Sequence, residues 1–153
     1  MIPVYQTIFT KGEGNCFPAA IASILELSLD EVPNWLGDTD GQLIKMWEQV
    51  GKWLNKRGWG MLSIMSPGAI KDAKNIWQQC HYIGLEGCFA IGTVRSQKLP
   101  GVLHATVIGW KMDTPDRPWY NPVILHDPRK DNEPYDIGDV IGLDLFLPLG
   151  GKL

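Results

Sequence analysis

The chain has no apolar run approaching the roughly 20 residues that a membrane-spanning helix needs. Its opening, Met1-Ile2-Pro3-Val4-Tyr5-Gln6-Thr7, has neither the cationic lead nor the apolar stretch of a secretory leader. Cysteine is scarce: three residues at irregular spacing make no disulfide framework, and the odd count leaves at least one free thiol. A reducing, cytoplasmic setting is the expectation. Charge bias is also lacking. The formal net charge is −3 with no block of like sign, so neither a basic nucleic-acid face nor a membrane association is indicated. There are no repeats, low-complexity tracts or internal boundaries, and 153 residues, 44% of them hydrophobic, suffice for one domain over 1–153 with its own core. No glycine-rich phosphate loop is present, because Gly150-Gly151 stands at the C-terminus with no helix after it. Cys80-His81 with Cys88 lacks the second tight ligand pair of a structural zinc site. Asp38-Thr39-Asp40-Gly41 starts like a calcium loop without the later glutamate and reads as a helix-capping turn. Neither metal nor cofactor is expected.

What is present divides into a helical half and a β-rich half. Residues 1–9 alternate enough to predict a short entry strand through Ile2, Val4 and Ile8. After the loop Lys11-Gly12-Glu13-Gly14-Asn15, apolar residues recur at helical steps from Cys16 to about Leu27, with Asn15 as N-cap and Pro18 in the first turn. A helical turn at Ser28 to Val32 stops at Pro33. A longer amphipathic helix is predicted from Asp40 to Arg57, with Leu43, Met46, Trp47, Val50, Trp53 and Leu54 on its inner face and Gly58 as its stop, then a strand from Met61 to Met65 and a helix from Gly68 to Cys80. Gly87 to Val94, Leu103 to Trp110, Pro122 to His126 and Val140 to Leu147 are short β-rich runs, the second and third joined by a Pro- and Asp-bearing turn that suits a hairpin. Helices first and an antiparallel sheet second make an α+β fold. Trp47, Trp53, Trp59 and Trp77 read as core, with Trp59 and Trp110 the rings a cleft wall would use.

Cys16 has the placement that thiol chemistry requires. The thiolate is the reactive form, and the first turn of a helix favours it through partial positive charge and unpaired N–H groups. Those N–H groups also suit the oxyanion of a tetrahedral intermediate. A small buried residue is the alternative reading of Cys16. His104 heads the otherwise apolar strand Leu103-His104-Ala105-Thr106-Val107-Ile108, and Asp127 follows the run Val123-Ile124-Leu125-His126. Paired as a hairpin, the two runs bring His104 and Asp127 to corresponding open ends, where the carboxylate orients the imidazole. Taken singly, a surface imidazole and a turn-forming Asp before Pro128 are the plainer readings. His126 is the rival base, but strand alternation sends it to the other face from Asp127.

The segment Gly14-Asn15-Cys16-Phe17-Pro18-Ala19-Ala20-Ile21-Ala22-Ser23-Ile24-Leu25 resembles the nucleophile helix of papain-like cysteine peptidases, especially the bacteriocin-leader-processing type. The order Cys, then His at a strand start, then Asp after the next strand is similar to that superfamily. Asp30-Glu31-Val32-Pro33-Asn34-Trp35 and His126-Asp127-Pro128 look like small uncharacterised bacterial and phage proteins of that fold. The resemblance covers about a quarter of the chain. It implies N-terminal helices, with the nucleophile at the start of the first, packed on a C-terminal sheet. It also implies a Cys16-His104-Asp127 triad. One departure is visible: the family places an oxyanion-hole glutamine about six residues before the cysteine, where this chain has Thr10. Gln6 is then the candidate donor, with Thr10 or Asn15 as substitutes.

The leading expectation is a cysteine-dependent hydrolase that cleaves a peptide or isopeptide bond in a peptide or protein substrate through an acyl-enzyme. Deamidase and acyltransferase reactions use the same groups. The alternative is a papain-fold binding module, such as a phage or accessory factor, that captures a partner without cutting it.

Overall fold

A computed structural model describes residues 1–38, 43–65, 87–114 and 117–150. The predicted helix from Gly68 to Cys80, and with it His81, lies outside the described residues. The elements run α1 (Cys16–Leu25), a 3₁₀ turn (Leu29–Glu31), α2 (Trp35–Asp38), α3 (Leu43–Asn55), β1 (Trp59–Met65), β2 (Phe89–Arg95), β3 (Leu103–Thr114), β4 (Arg117–His126), a 3₁₀ turn (Ile137–Asp139) and β5 (Gly142–Pro148). The five strands form one antiparallel sheet in the order β1-β5-β2-β3-β4. The fold is α+β, as expected, with N-terminal helices packed on the sheet.

α1 is the central helix because its sequence is apolar nearly all round. Ala19, Ala20, Ile21 and Ala22 are fully buried, and small residues let it lie close to β2 and β3. Its one interior polar side chain, Ser23, is satisfied locally: Oγ donates to the Ala19 carbonyl at 2.8 Å and accepts the Val4 N–H at 2.9 Å. Glu26, in the left-handed region at φ 56°, ends the helix just short of the expected boundary. Met46, Val50 and Leu54 of α3 join α1, Ile91, Val107 and Phe146 in the main core. Leu43 and Trp47, expected on the inner face of α3, are exposed, and Trp47 meets Phe17 edge-on at 5.5 Å. α2 was not expected; its Trp35 is buried edge-on against Trp53 at 5.6 Å. The opposite face of the sheet buries Ala90, Val94, Ile108, Trp110, Val140 and Leu143 beneath Tyr135 and Ile137.

Two expectations are corrected. Residues 1–9 form no strand. Their backbone groups bond to α1 and to the loop after β4 instead: Ile2 N–H to the Ser23 carbonyl at 3.2 Å, and Gln6 N–H to the Pro128 carbonyl at 3.0 Å. The 112–122 link is not a loop, since β3 continues to Thr114 and β4 starts at Arg117. Pro122 is tolerated opposite Trp110 because β4 is an edge strand, where a missing N–H leaves no ladder bond broken.

Candidate active site

Cys16 opens α1 and is partly buried. Asn15 occupies the N-cap position, but its side chain caps nothing. Its Oδ1 accepts the N–H groups of Thr7 and Ile8 at 3.0 and 2.9 Å, and its Nδ2 donates to Thr7 Oγ1 at 3.1 Å. The expected cap is therefore a clamp that fixes residues 6–8 beside the helix start. Asn15 Oδ1 is thereby occupied, and one N–H of Nδ2 remains. The N–H groups of Cys16 and Phe17 donate to no group among the described residues, and Pro18 has none, so the first turn keeps its positive end open beside the thiol. Gly12, at φ +85°, turns the preceding loop, and Asn34 Nδ2 anchors that loop by donating to the Glu13 carbonyl at 2.9 Å.

The hairpins bring the other two groups to the same end of the sheet. His104 pairs with Val94 near the start of β3, and Val107 pairs with His126, which leaves Asp127 one residue past β4. His104 Nε2 meets Asp127 Oδ1 at 2.5 Å. A carboxylate only accepts, so Nε2 carries a proton, and Nδ1 is the ring nitrogen left for Cys16, which lines the same cleft. Burial pushes the imidazolium of His104 down, but its bond to the Asp127 carboxylate and the neighbouring Cys16 side chain outweigh this and raise its pKa to about 9. Burial pushes Asp127 up, yet His104, the Arg129 N–H at 2.8 Å and Asn132 Nδ2 at 2.9 Å together hold the carboxyl below the usual value.

Gln6, Thr10, Gly14, Cys16, His104 and Arg129 all line one cleft of about 70 Å³. Gln6 is buried, and one N–H of its amide is spent on the Ile8 carbonyl at 3.2 Å, which also fixes which end of the amide is nitrogen. One N–H of that group remains. Thr10 Oγ1 donates to Glu13 at 3.4 Å. The rival base, His126, is buried with Nε2 donating to the Val4 carbonyl at 2.8 Å and its ring against Tyr5. Trp59 and Trp110 do not line the cleft.

Two residues at the site were not foreseen. Asn132 holds the second carboxylate oxygen of Asp127, and Tyr135 lies with its ring centroid 6.1 Å from that of His104. The Tyr135 hydroxyl donates to the Arg95 carbonyl and accepts the Gln97 N–H, each at 3.1 Å, tying the β2–β3 turn to the loop after β4. An asparagine five positions after Asp127 in a polar turn carries no sequence signal of this role.

The arrangement can pass a proton from the thiol to Nδ1 and hold the resulting imidazolium against a carboxylate that stays ionised. Compared with protein-family models, with curated proteins and with solved structures, the chain matches none.

Proposed function

We propose that this chain is a papain-like, cysteine-dependent hydrolase that cleaves an amide bond, peptide or isopeptide, in a peptide or protein substrate. The reading is carried by one observation: a cysteine at an uncapped helix start shares a cleft with a histidine whose far nitrogen is held by a carboxylate. In this mechanism His104 Nδ1 takes the thiol proton and Cys16 attacks the carbonyl carbon. The developing oxyanion draws on the first-turn N–H groups of α1 and the remaining N–H of Gln6. His104 then returns its proton to the leaving amine, and water releases the acyl group. Transfer to another nucleophile, or attack on a side-chain amide, would use the same groups. A cytoplasmic setting belongs to the same reading.

The test is turnover of a quenched-fluorescence peptide library. Wild-type protein cleaves a subset, whereas Cys16→Ala and His104→Ala cleave none above the uncatalysed rate. Equal cleavage by Cys16→Ala overturns the proposal. A second reading, a binding module, is favoured by the narrowness of the Cys16 cleft beside a far larger neighbouring groove. It predicts that partner capture survives Cys16→Ala while no library member is cut by either protein.

A further inference from the structure

Against the Cys16 cleft lies an open groove of about 490 Å³ that the hydrolytic mechanism leaves without a role. One wall is the N-terminal segment at Tyr5, Thr7 and Phe9; the other is the loop after β4, through Pro128, Arg129 and Lys130. Gln6, Phe9 and Arg129 line both spaces, so the groove adjoins the thiol on the side of the candidate oxyanion donor. Its walls are fixed, because Gln6 N–H is bonded to the Pro128 carbonyl and Thr7 N–H to Asn15. With that backbone satisfied internally, recognition falls to side chains.

Those side chains are rings and cations. Tyr5 and Phe9 are 40% and 47% exposed, a large open apolar area for so short a segment. The Arg129 guanidinium stands 5.1 Å from the centre of the Phe9 ring and donates to both carboxylate oxygens of Asp131, at 2.7 and 3.3 Å, so that these two charges cancel. Lys130 Nζ stands 4.1 Å from the centre of the Tyr5 ring and has no carboxylate partner among the described residues. The groove therefore offers apolar faces and one uncompensated positive charge.

We propose that this groove binds the segment of a peptide substrate next to the scissile amide, seating an apolar or aromatic side chain against Tyr5 and Phe9 and a neighbouring carboxylate against Lys130. Its place beside a scissile bond rests on the hydrolase reading; the binding itself needs no thiol. The experiment is calorimetric titration of the Cys16→Ala protein at low ionic strength. The probes are acetylated, amidated alanine hexapeptides that carry Phe-Glu, Phe-Gln or Phe-Lys at successive positions. Phe-Glu peptides bind about threefold tighter than Phe-Gln and about tenfold tighter than Phe-Lys, as an exposed ion pair and its reversal allow. The gap closes at about 0.5 M salt, and Lys130→Glu inverts the order. Equal affinity for the three, no binding by any, or an order unchanged in Lys130→Glu overturns the proposal. Binding in the predicted order supports it even where wild-type protein leaves the peptides uncut, a result that counts against the hydrolase reading alone.

Discussion

At the scale of single residues, the ionisation of His104 is the quantity to measure. An imidazole buried alone would titrate below its ordinary range, whereas His104 is held up to about 9 by Asp127 and Cys16. NMR of its ring protons will follow one transition near pH 9 in wild-type protein and a transition moved down in Asp127→Ala. Asn132→Ala is the finer case. It leaves the triad in place but frees one carboxylate oxygen, so His104 will titrate between wild type and Asp127→Ala, and a wild-type titration in Asn132→Ala would count against that positioning role. The three principal residues were legible in the sequence because each is a reactive type at a marked place: a helix start, a strand start, a strand end. Asn132 and Tyr135 were not, since their roles exist only once the 127–139 loop has folded back against β3. Asn15 shows the converse. Its type and position signalled a cap, but the hydrogen bonds it makes to Thr7 and Ile8 outcompete capping.

At the scale of elements, α1 holds Cys16, the proposed nucleophile, and its packing decides whether the site exists. Ile21 is fully buried among α1, α3 and the sheet, so Ile21→Ala will cost about 2–5 kcal/mol in denaturant unfolding, from lost transfer energy and the cavity left behind. β2 is equally intolerant at Gly92. A Cβ there would stand 2.8 Å from Ile108 Cγ1 and 2.9 Å from Thr106 Oγ1, both on fully buried side chains. Gly92→Ala will therefore destabilise by about 1–3 kcal/mol, the range for overpacking, where an open position would show almost no change. Helix and strand periodicity located α1, α3 and all five strands, but β3 runs on to Thr114 past its predicted end at Trp110 and β4 starts at Arg117, before its predicted start at Pro122. Periodicity misled at residues 1–9, because alternation reports two differing faces and not a neighbouring strand. The apolar side of that segment packs on α1, and its N–H groups bond to a helix carbonyl, a serine, an asparagine and a loop. Sheet order was not legible either, since β5 inserts between β1 and β2 and no local pattern records which strand returns to the middle.

At the scale of the whole molecule, the His104–Asp127 pair ties stability to pH. His104 is raised in the folded state, so its contribution is fully present below the unfolded value of 6.5 and is lost as pH rises through about 9. Asp127 is lowered, so its contribution is present above 3.8 and is lost as pH falls through its folded value. Both contribute in full between about pH 4 and 6.5, and the loss on the alkaline side is on the order of 3 kcal/mol. Denaturant midpoints across that range will fall above pH 6.5 in wild-type protein and stay nearly flat in Asp127→Ala. The central claim, that Cys16 is an activated nucleophile, meets its most direct test in competitive alkylation. Iodoacetamide is applied at about pH 6 to the native protein and each cysteine is followed by peptide mass spectrometry, first in wild type and then in His104→Ala. Access alone favours Cys88, which is exposed, over Cys16, which is partly buried. The account predicts the reverse order: Cys16 alkylates at least about tenfold faster than Cys88 and Cys80, and the advantage disappears in His104→Ala. Labelling of Cys88 first, or at the same rate as Cys16, would contradict it.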